Sequence, residues 1–298
     1  MEIVAAYGCS HAGIISTRRD RVAKDVELEV FCAFGEIRAD IERIKPDAIV
    51  MVATDHMQVF PLPMVATFAI GVGPTAKGLG DGGMAPCAVP VNQPLADAIL
   101  QHSVAAGVDL VFSEDVRIDH SFVMPLAYIT PSYDVPIVPI TQNCNVPPRP
   151  SFARSRAVGA VIGDAIRSAG QGRVVAIATG GLSHWVGSDE RQEFMKRPAG
   201  TRYEDLGNFP FTMEEKGRVN EEWDRDFLTA AVRGQLAQYA EQWTPEKVEE
   251  AAGNGAQEVR NWFTVAAMIN DAPAEVMAYA AAEEWLTGTG ILRWNVGG

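Results

Sequence analysis

Short apolar runs that alternate with helix-like segments constrain the fold of this chain more than any other feature of its sequence. Each run ends in a polar or glycine-containing turn, as buried strands do, and the runs span 3–7, 48–53, 65–72, 108–112, 136–140 and 174–178. Strands that alternate with helices form sheets that are covered on both faces. The sequence therefore predicts an α/β fold with a largely parallel or mixed central sheet flanked by helices.

Three helical segments lie between these runs. The clearest begins at Asp25, a candidate N-cap, and continues through Ile44 to a stop at Pro46. The other two span 94–106 and 152–169. Their spacing between the apolar runs is typical of helices that connect neighbouring strands.

The character of the sequence changes after Trp185. Residues 188–217 are polar, charged and rich in turn formers, and the remainder has helical patterns with many Ala, Glu and Gln residues. No linker rich in Pro, Ser or Gly separates the two parts. We therefore expect a single domain over 1–298, with an α/β core at 1–185 and a mainly helical C-terminal region at 186–298.

Composition argues against several classes of partner. The formal net charge of -13 at pH 7 opposes binding to nucleic acid, which depends on clustered Lys and Arg. The four cysteines form no C-x-x-C pair, which fits a reducing cytoplasm. The N-terminal residues lack a basic region and a long apolar segment, and no apolar stretch approaches the length of a bilayer span. We expect a cytoplasmic protein without a membrane segment.

Four of the five histidines follow predicted strands or extended segments. They are His11, His56, His120 and His184, whereas His102 falls inside a helical pattern. Parallel strands bring their carboxyl ends to one edge of a sheet, so we expect these four imidazoles to lie together. Such a cluster indicates a metal site or an acid–base site.

Ligand identity leaves two kinds of metal chemistry open. Two imidazoles and one carboxylate leave several coordination positions free, so that a substrate and O2 can bind together. The same ligands also serve zinc hydrolases, in which a zinc-bound water is the nucleophile. The histidine pattern by itself does not separate these alternatives.

Two other motifs carry less weight. Residues 71–76 match the G-x-G-x-x-A form of the dinucleotide fingerprint, but Pro74 and the glycines that follow forbid the helix that should receive a pyrophosphate. Cys9 lies two residues from His11 and invites a thiol–imidazole interpretation. A small buried residue at a strand end is the simpler interpretation of Cys9.

Six segments together resemble a known family. They are GCSH at 8–11, ATDH at 53–56, IGVG at 70–73, IDHSF at 118–122, TGGLSH at 179–184 and QEVRNW at 257–262. In this order they resemble the class III extradiol ring-cleaving dioxygenases, which include protocatechuate 4,5-dioxygenase and the 2,3-dihydroxyphenylpropionate 1,2-dioxygenase group. The resemblance spans nearly the whole chain.

The resemblance implies a non-haem Fe(II) enzyme that cleaves a catechol-type ring with O2 to a muconic semialdehyde-type product. It implies that His11 and His56 bind Fe(II) and that Glu258 supplies the carboxylate, which spacing alone could not have identified. It also implies a homo-oligomer. A zinc-dependent hydrolase or a metal-dependent lyase on the same scaffold is the alternative.

The resemblance further implies how proton transfer is divided. His184 is expected to act as the base and His120 as the acid, with Asp119 orienting or tuning His120. No organic cofactor or external reductant is implied, because the substrate supplies the electrons.

Overall fold

The computed structural model describes residues 1–60, 64–195 and 217–296. In this part of the chain the strands are β1 (Glu2–Cys9), β2 (Ala48–Ala53), β3 (Phe68–Gly71), β4 (Thr75–Gly78), β5 (Cys87–Pro90), β6 (Val111–Ser113), β7 (Arg117–Ile118), β8 (Ile137–Gln142), β9 (Arg173–Thr179), β10 (Ala274–Ala282) and β11 (Thr287–Trp294). They form an eight-stranded sheet, in the order β10-β11-β1-β9-β2-β8-β3-β6, and a three-stranded sheet, in the order β5-β4-β7.

Helices connect and flank these strands. They are α1 (Gly13–Thr17), α2 (Lys24–Ile44), α3 (Gln93–Ala105), α4 (His120–Ile129), α5 (Phe152–Ser168), α6 (Asp189–Met195), α7 (Glu221–Val232), α8 (Leu236–Gln242), α9 (Pro245–Ala252) and α10 (Val259–Met268), with 3-10 turns at Arg19–Arg21, Gly255–Glu258 and Glu283–Trp285. No helix of the described residues is both long enough and apolar enough to cross a bilayer.

The eight-stranded sheet is mixed, with a parallel centre. β1, β9, β2 and β8 pair in parallel, whereas β3 is antiparallel to β8 and β11 is antiparallel to β1. Every residue of β2 is buried, which explains why its sequence is a continuous apolar run rather than an alternating one. The structure confirms the predicted α/β fold with a mixed central sheet flanked by helices.

Close helix packing sets the position of α10, which follows directly after Glu258. The ring of Phe152 in α5 lies 5.0 Å from the ring of Phe263 in α10. A Cβ added at Gly159 of α5 would lie 2.1 Å from the Thr264 carbonyl oxygen, so only glycine allows the two backbones to approach this closely.

Most predicted elements are present, with small differences at their ends. The run at 48–53 coincides with β2. α2 begins at Lys24 with Ala23 as its cap residue and no side-chain cap, so the N-cap predicted at Asp25 is wrong. Asp25 lies instead in the first turn, where a negative charge interacts favourably with the helix dipole.

The C-terminal region contains helices and also two strands that its sequence does not suggest. β10 has the sequence AEVMAYAAA, and its many alanines favour a helix in isolation. Pairing along β11, which itself pairs with β1, overrides that preference. The two parts of the chain therefore share one sheet. Residues 196–216, most of the predicted polar stretch, lie outside the described residues.

Candidate active site

His11, His56 and Glu258 meet at the carboxyl ends of the central strands. His11 follows β1, His56 follows β2, and Glu258 ends the turn that leads into α10. His11 Nε2 and His56 Nε2 each lie 3.2 Å from Glu258 Oε1. Two atoms that bind one ion at about 2.0–2.2 Å and at right angles are about 3 Å apart, so this spacing fits metal ligands. We call these three residues the metal-facing set.

The Nδ1 atom of each metal-facing imidazole is held as a donor. Thr179 Oγ1 donates its only proton to the Ser121 carbonyl oxygen at 3.0 Å, so it accepts from His11 Nδ1, also at 3.0 Å. Asp119 Oδ2 accepts from His56 Nδ1 at 3.0 Å and from the His56 backbone N–H at 2.8 Å. Both rings in their neutral form therefore present an Nε2 lone pair towards Glu258.

Glu258 is held in place through its second carboxylate oxygen, Oε2. Glu258 Oε2 accepts from the Gly181 backbone N–H at 2.7 Å, and the side chain is 2% exposed. Oε1 is thereby directed at the two Nε2 atoms. Three lone pairs that face one another in a buried place repel unless a cation lies among them. The donor set and its supports thus fit a divalent metal ion.

The ionisation of the metal-facing set follows from burial and mutual attraction. Burial alone raises the pKa of Glu258, but His11 and His56 hold it well below its usual value. Burial works to lower the pKa of His56, but Asp119 and Glu258 raise it well above its usual value. Burial lowers the pKa of His11, with Glu258 opposing. Without an ion, the raised pKa of His56 favours a proton on that ring, which would balance the charge of the carboxylates.

His120 lies beside the metal-facing set, although the strand that precedes it is not the predicted one. It follows β7 of the three-stranded sheet and starts α4, so the expectation that it follows the strand at 108–112 is wrong. Its ring stacks on His56 with centroids 4.1 Å apart, and it lies 5.9 Å from the His11 centroid.

Asp119 makes its imidazole hydrogen bond to His56 rather than to His120, although its carboxylate lies within 4.8 Å of a His120 ring nitrogen. Asp119 caps α4 from an extended backbone conformation, accepts from the Ser121 N–H at 2.9 Å and holds His56. His120 Nδ1 instead contacts Asp81 Oδ2 at 2.5 Å. The two neighbours in sequence therefore have different hydrogen-bond partners at this strand-to-helix junction.

His184 lies in a turn after β9 with one ring nitrogen committed. Its Nδ1 lies 2.9 Å from the Leu182 carbonyl oxygen, which can only accept, so Nδ1 carries the proton and Nε2 does not. A Cβ at Gly255 would lie 2.1 Å from Nε2, so glycine there leaves room for the ring. Burial lowers the pKa of His184, which keeps it neutral at pH 7.

Asp224 supports the turn that carries His184. Its carboxylate is fully buried and accepts from the Ser183 N–H at 2.7 Å and the Tyr279 hydroxyl at 2.9 Å. Burial raises the pKa of Asp224 to about 6, while the bonds from Ser183 oppose the rise. α7 is thus joined through Asp224 to the residue before His184.

Sequence reasoning missed the residues that hold the imidazoles. Thr179 and Gly181 lie inside the segment TGGLSH, but their hydrogen bonds to His11 and Glu258 depend on how distant strands meet. Asp81 had one usable signal, because it is a single acid within a run of glycines.

The two minor motifs have structural explanations. Gly71 ends β3 and Thr75 begins β4, so a strand stands where a dinucleotide fingerprint needs a helix. Cys9 is buried in β1, and burial raises the pKa of its thiol to about 12.

A second set of possible ligands overlaps the first. His11, His56 and His120 offer ring nitrogens that all lie within 4.8 Å of one another. Glu258 Oε1 lies 3.2 Å from a nitrogen of each of the first two rings, and Glu258 brings the negative charge that a cation requires.

Comparison with known proteins agrees with this geometry. Residues 5–291 match the family described as the catalytic LigB subunit of aromatic ring-opening dioxygenase. A 2,3-dihydroxyphenylpropionate/2,3-dihydroxicinnamic acid 1,2-dioxygenase of Rhodococcus jostii (strain RHA1) is 29% identical over 97% of both chains. The enzyme of the same name from Escherichia coli O81 (strain ED1a) is 29% identical over 91% of this chain and 92% of its own.

A solved structure shares the fold alone. The uncharacterized protein JW3007 from Escherichia coli K12 superposes with a TM-score of 0.57 at 13% identity, covering 98% of this chain and 99% of its own. The family and the sequence relatives are ring-cleaving dioxygenases, which makes this chain an enzyme of that class. The chain belongs to the family of catalytic LigB subunits of aromatic ring-opening dioxygenases.

Proposed function

We propose that this chain is a non-haem Fe(II) extradiol dioxygenase that opens a catechol-type ring with O2. The observation that carries the proposal is the convergence of His11 Nε2, His56 Nε2 and Glu258 Oε1, each with its other polar atom held by the protein. Two imidazoles and one carboxylate are the ligands of non-haem Fe(II) oxygenases. The family match supplies the reaction class.

Fe(II) would be held by His11, His56 and Glu258, and it would supply a Lewis-acidic, redox-active centre with positions left open for the catechol and O2. Thr179 and Asp119 would keep the two imidazoles in the tautomer that binds metal through Nε2. Gly181 would keep Glu258 directed at the same point.

His184 is the proposed base. Its Nδ1 proton is donated to the Leu182 carbonyl, so Nε2 is the atom that can accept the proton of a catechol hydroxyl. The lowered pKa keeps that atom unprotonated at pH 7 and ready to accept. Gly255 leaves the space that the ring occupies.

His120 is the proposed acid. It stands against His56 at 4.1 Å, so its ring borders the space in which substrate and O2 would meet. Its Nδ1 is held by Asp81, so Nε2 of the protonated ring is the atom that would donate the proton that ring opening requires.

Several broader features remain parts of the proposal. The shared sheet supports a single catalytic domain over 1–298. The charge of -13 supports an enzyme that does not bind nucleic acid. We propose that the enzyme works in the cytoplasm as a homo-oligomer. The zinc hydrolase or lyase alternative has no feature of the site in its favour beyond the ligand types.

The test is anaerobic reconstitution with Fe(II) or with Zn(II), followed by a panel of catechols, aminophenols and esters. We expect O2 uptake and a ring-opened product only with Fe(II) and a catechol-type substrate. Ester cleavage supported by Zn(II), without O2 uptake, would contradict the proposed function. 2,3-Dihydroxyphenylpropionate belongs in the panel because two relatives are named for it.

A further inference from the structure

A glycine-rich loop, residues 79–86, follows the 71–76 motif and packs against the candidate active site. It connects β4 with β5, and the Leu79 N–H donates to the Ile118 carbonyl at 3.0 Å, two residues before His120. Gly82 has a φ of +59°, and a Cβ there would lie 2.6 Å from His120 Cγ. The loop therefore lies directly on the His120 ring, and glycine at position 82 makes that possible.

This loop delivers one carboxylate to one ring nitrogen. Asp81 Oδ2 lies 2.5 Å from His120 Nδ1, and the two side chains are 17% and 15% exposed. A carboxylate only accepts hydrogen bonds, so it keeps the proton on Nδ1. The ring then has a single nitrogen, Nε2, with which to exchange a proton with substrate.

We propose that Asp81 is the positioning residue of His120, fixing its Nδ1–H tautomer and directing Nε2 at the reacting substrate. The consequence for turnover rests on the proposed role of His120 as the acid, whereas the tautomer does not. Asp119, the residue before His120, makes its hydrogen bonds to His56 and Ser121 instead.

Replacing Asp81 by Asn separates positioning from shape. The amide has nearly the same size but can donate to an unprotonated Nδ1, and an amide beside a catalytic imidazole can select the wrong tautomer. We expect kcat to fall by about 100-fold or more, the scale of a lost general acid. Anaerobic catechol binding and iron content should stay close to those of the wild type, because Asp81 is not in the metal-facing set.

The first experiment reads the tautomer without catalysis. Histidine ring nitrogens are labelled with 15N in the full-length, metal-free protein, and the His120 signals are assigned by their loss in His120→Phe. We expect Nδ1 to stay protonated in the wild type, so that only Nε2 gains or loses a proton, and we expect a loss of that preference in Asp81→Asn. A wild-type protein with the proton on Nε2 and none on Nδ1 would overturn the proposal, even if the variant does not fold.

The second experiment is a double-mutant cycle on the iron-loaded enzyme. As a single variant, Asp81→Asn should lower kcat. In the His120→Phe background the same substitution should change kcat by less than about twofold, because the two residues act as a unit. Asp115→Asn is the matched control, since it removes an exposed acid that pairs with Lys77 and Arg117 near the same small sheet. Its effect should stay within about twofold, as for most surface changes.

Two outcomes of the cycle overturn the proposal. One is an Asp81→Asn enzyme with wild-type kcat, and the other is an equal loss with and without His120. If the wild-type enzyme opens no catechol with Fe(II), the proposed function fails, and the tautomer measurement alone decides the role of Asp81.

Discussion

The metal-facing set and the two proposed proton-transfer histidines are built by different parts of the molecule. His11 and Glu258 are each 2% exposed, and they are held by Thr179 and Gly181 at the end of β9. His120 and His184 are held from loops, where glycine leaves room for each ring. From this difference we expect metal affinity to depend on the sheet edge, and turnover to depend also on the loops packed against it.

The largest effect is expected at the sheet edge. His11→Ala removes one ligand and its bond to Thr179, so iron affinity should fall by more than the roughly 10–100-fold range known for outer partners of a metal site. Activity should fall with it. Iron per chain and O2 uptake, measured on the same preparation, test this. Wild-type iron content in His11→Ala would show that His11 is not a metal ligand.

A smaller effect, confined to turnover, is expected in the loops. His184→Phe should keep its iron, because the ring is not in the metal-facing set, but lose about 100-fold or more in ring cleavage as a missing base does. Iron content together with single-turnover kinetics checks the separation. Iron loss in His184→Phe as large as that in His11→Ala would show that a ligand has been taken for a base.

Residues that hydrogen-bond to the proposed ligands should affect metal binding less than the ligands themselves do. Thr179→Val keeps the shape but removes the hydroxyl that accepts from His11 Nδ1, so metal affinity should fall about 10–100-fold. Thr179→Ser, the matched control, keeps the hydroxyl and should stay near the wild type. Competition with a fluorescent chelator measures both. Equal affinities for the Val and Ser variants would mean that this hydrogen bond does not govern the tautomer of His11.

Much of the fold was predictable from the sequence, because each signal was local. The buried run at 48–53 and the helix ending at Ile44 depend only on the periodicity of nearby residues. β10 was not predictable, because its alanines favour a helix until β11 is beside it. Strand pairing between distant segments is a tertiary effect that periodicity does not contain.

The sequence predicts the imidazoles of the site, but it does not predict the residues that hydrogen-bond to them. Histidines after strands indicated a common edge, but Glu258 came from family resemblance rather than from spacing. The resemblance implies that Asp119 orients or tunes His120, and it does not reveal that the hydrogen bonds of Asp119 go to His56 and Ser121. Asp81 reaches His120 across 39 positions of sequence, and only the loop between β4 and β5 explains that contact.

The smallest effect is the pH dependence of metal binding. Burial works to lower the pKa of His56, but Asp119 and Glu258 raise it well above its usual value, so we expect His56 to be protonated at pH 7 in the metal-free enzyme. Metal binding must displace that proton, so affinity should rise with pH, by up to about tenfold per unit below the His56 pKa. Calorimetry in buffers of different ionisation enthalpy should detect about one proton released per ion. No proton release at pH 7 would contradict this electrostatic account.

The most direct test of the central claim compares the two possible third ligands. Anaerobic titration gives the Fe(II) dissociation constant of the wild type, Glu258→Gln and His120→Phe. With Glu258 as the ligand, Glu258→Gln should weaken binding by more than about 100-fold, whereas His120→Phe should stay within the roughly tenfold lower range of outer partners. Weakening by His120→Phe as great as that by Glu258→Gln would contradict the assignment and place the third ligand on His120.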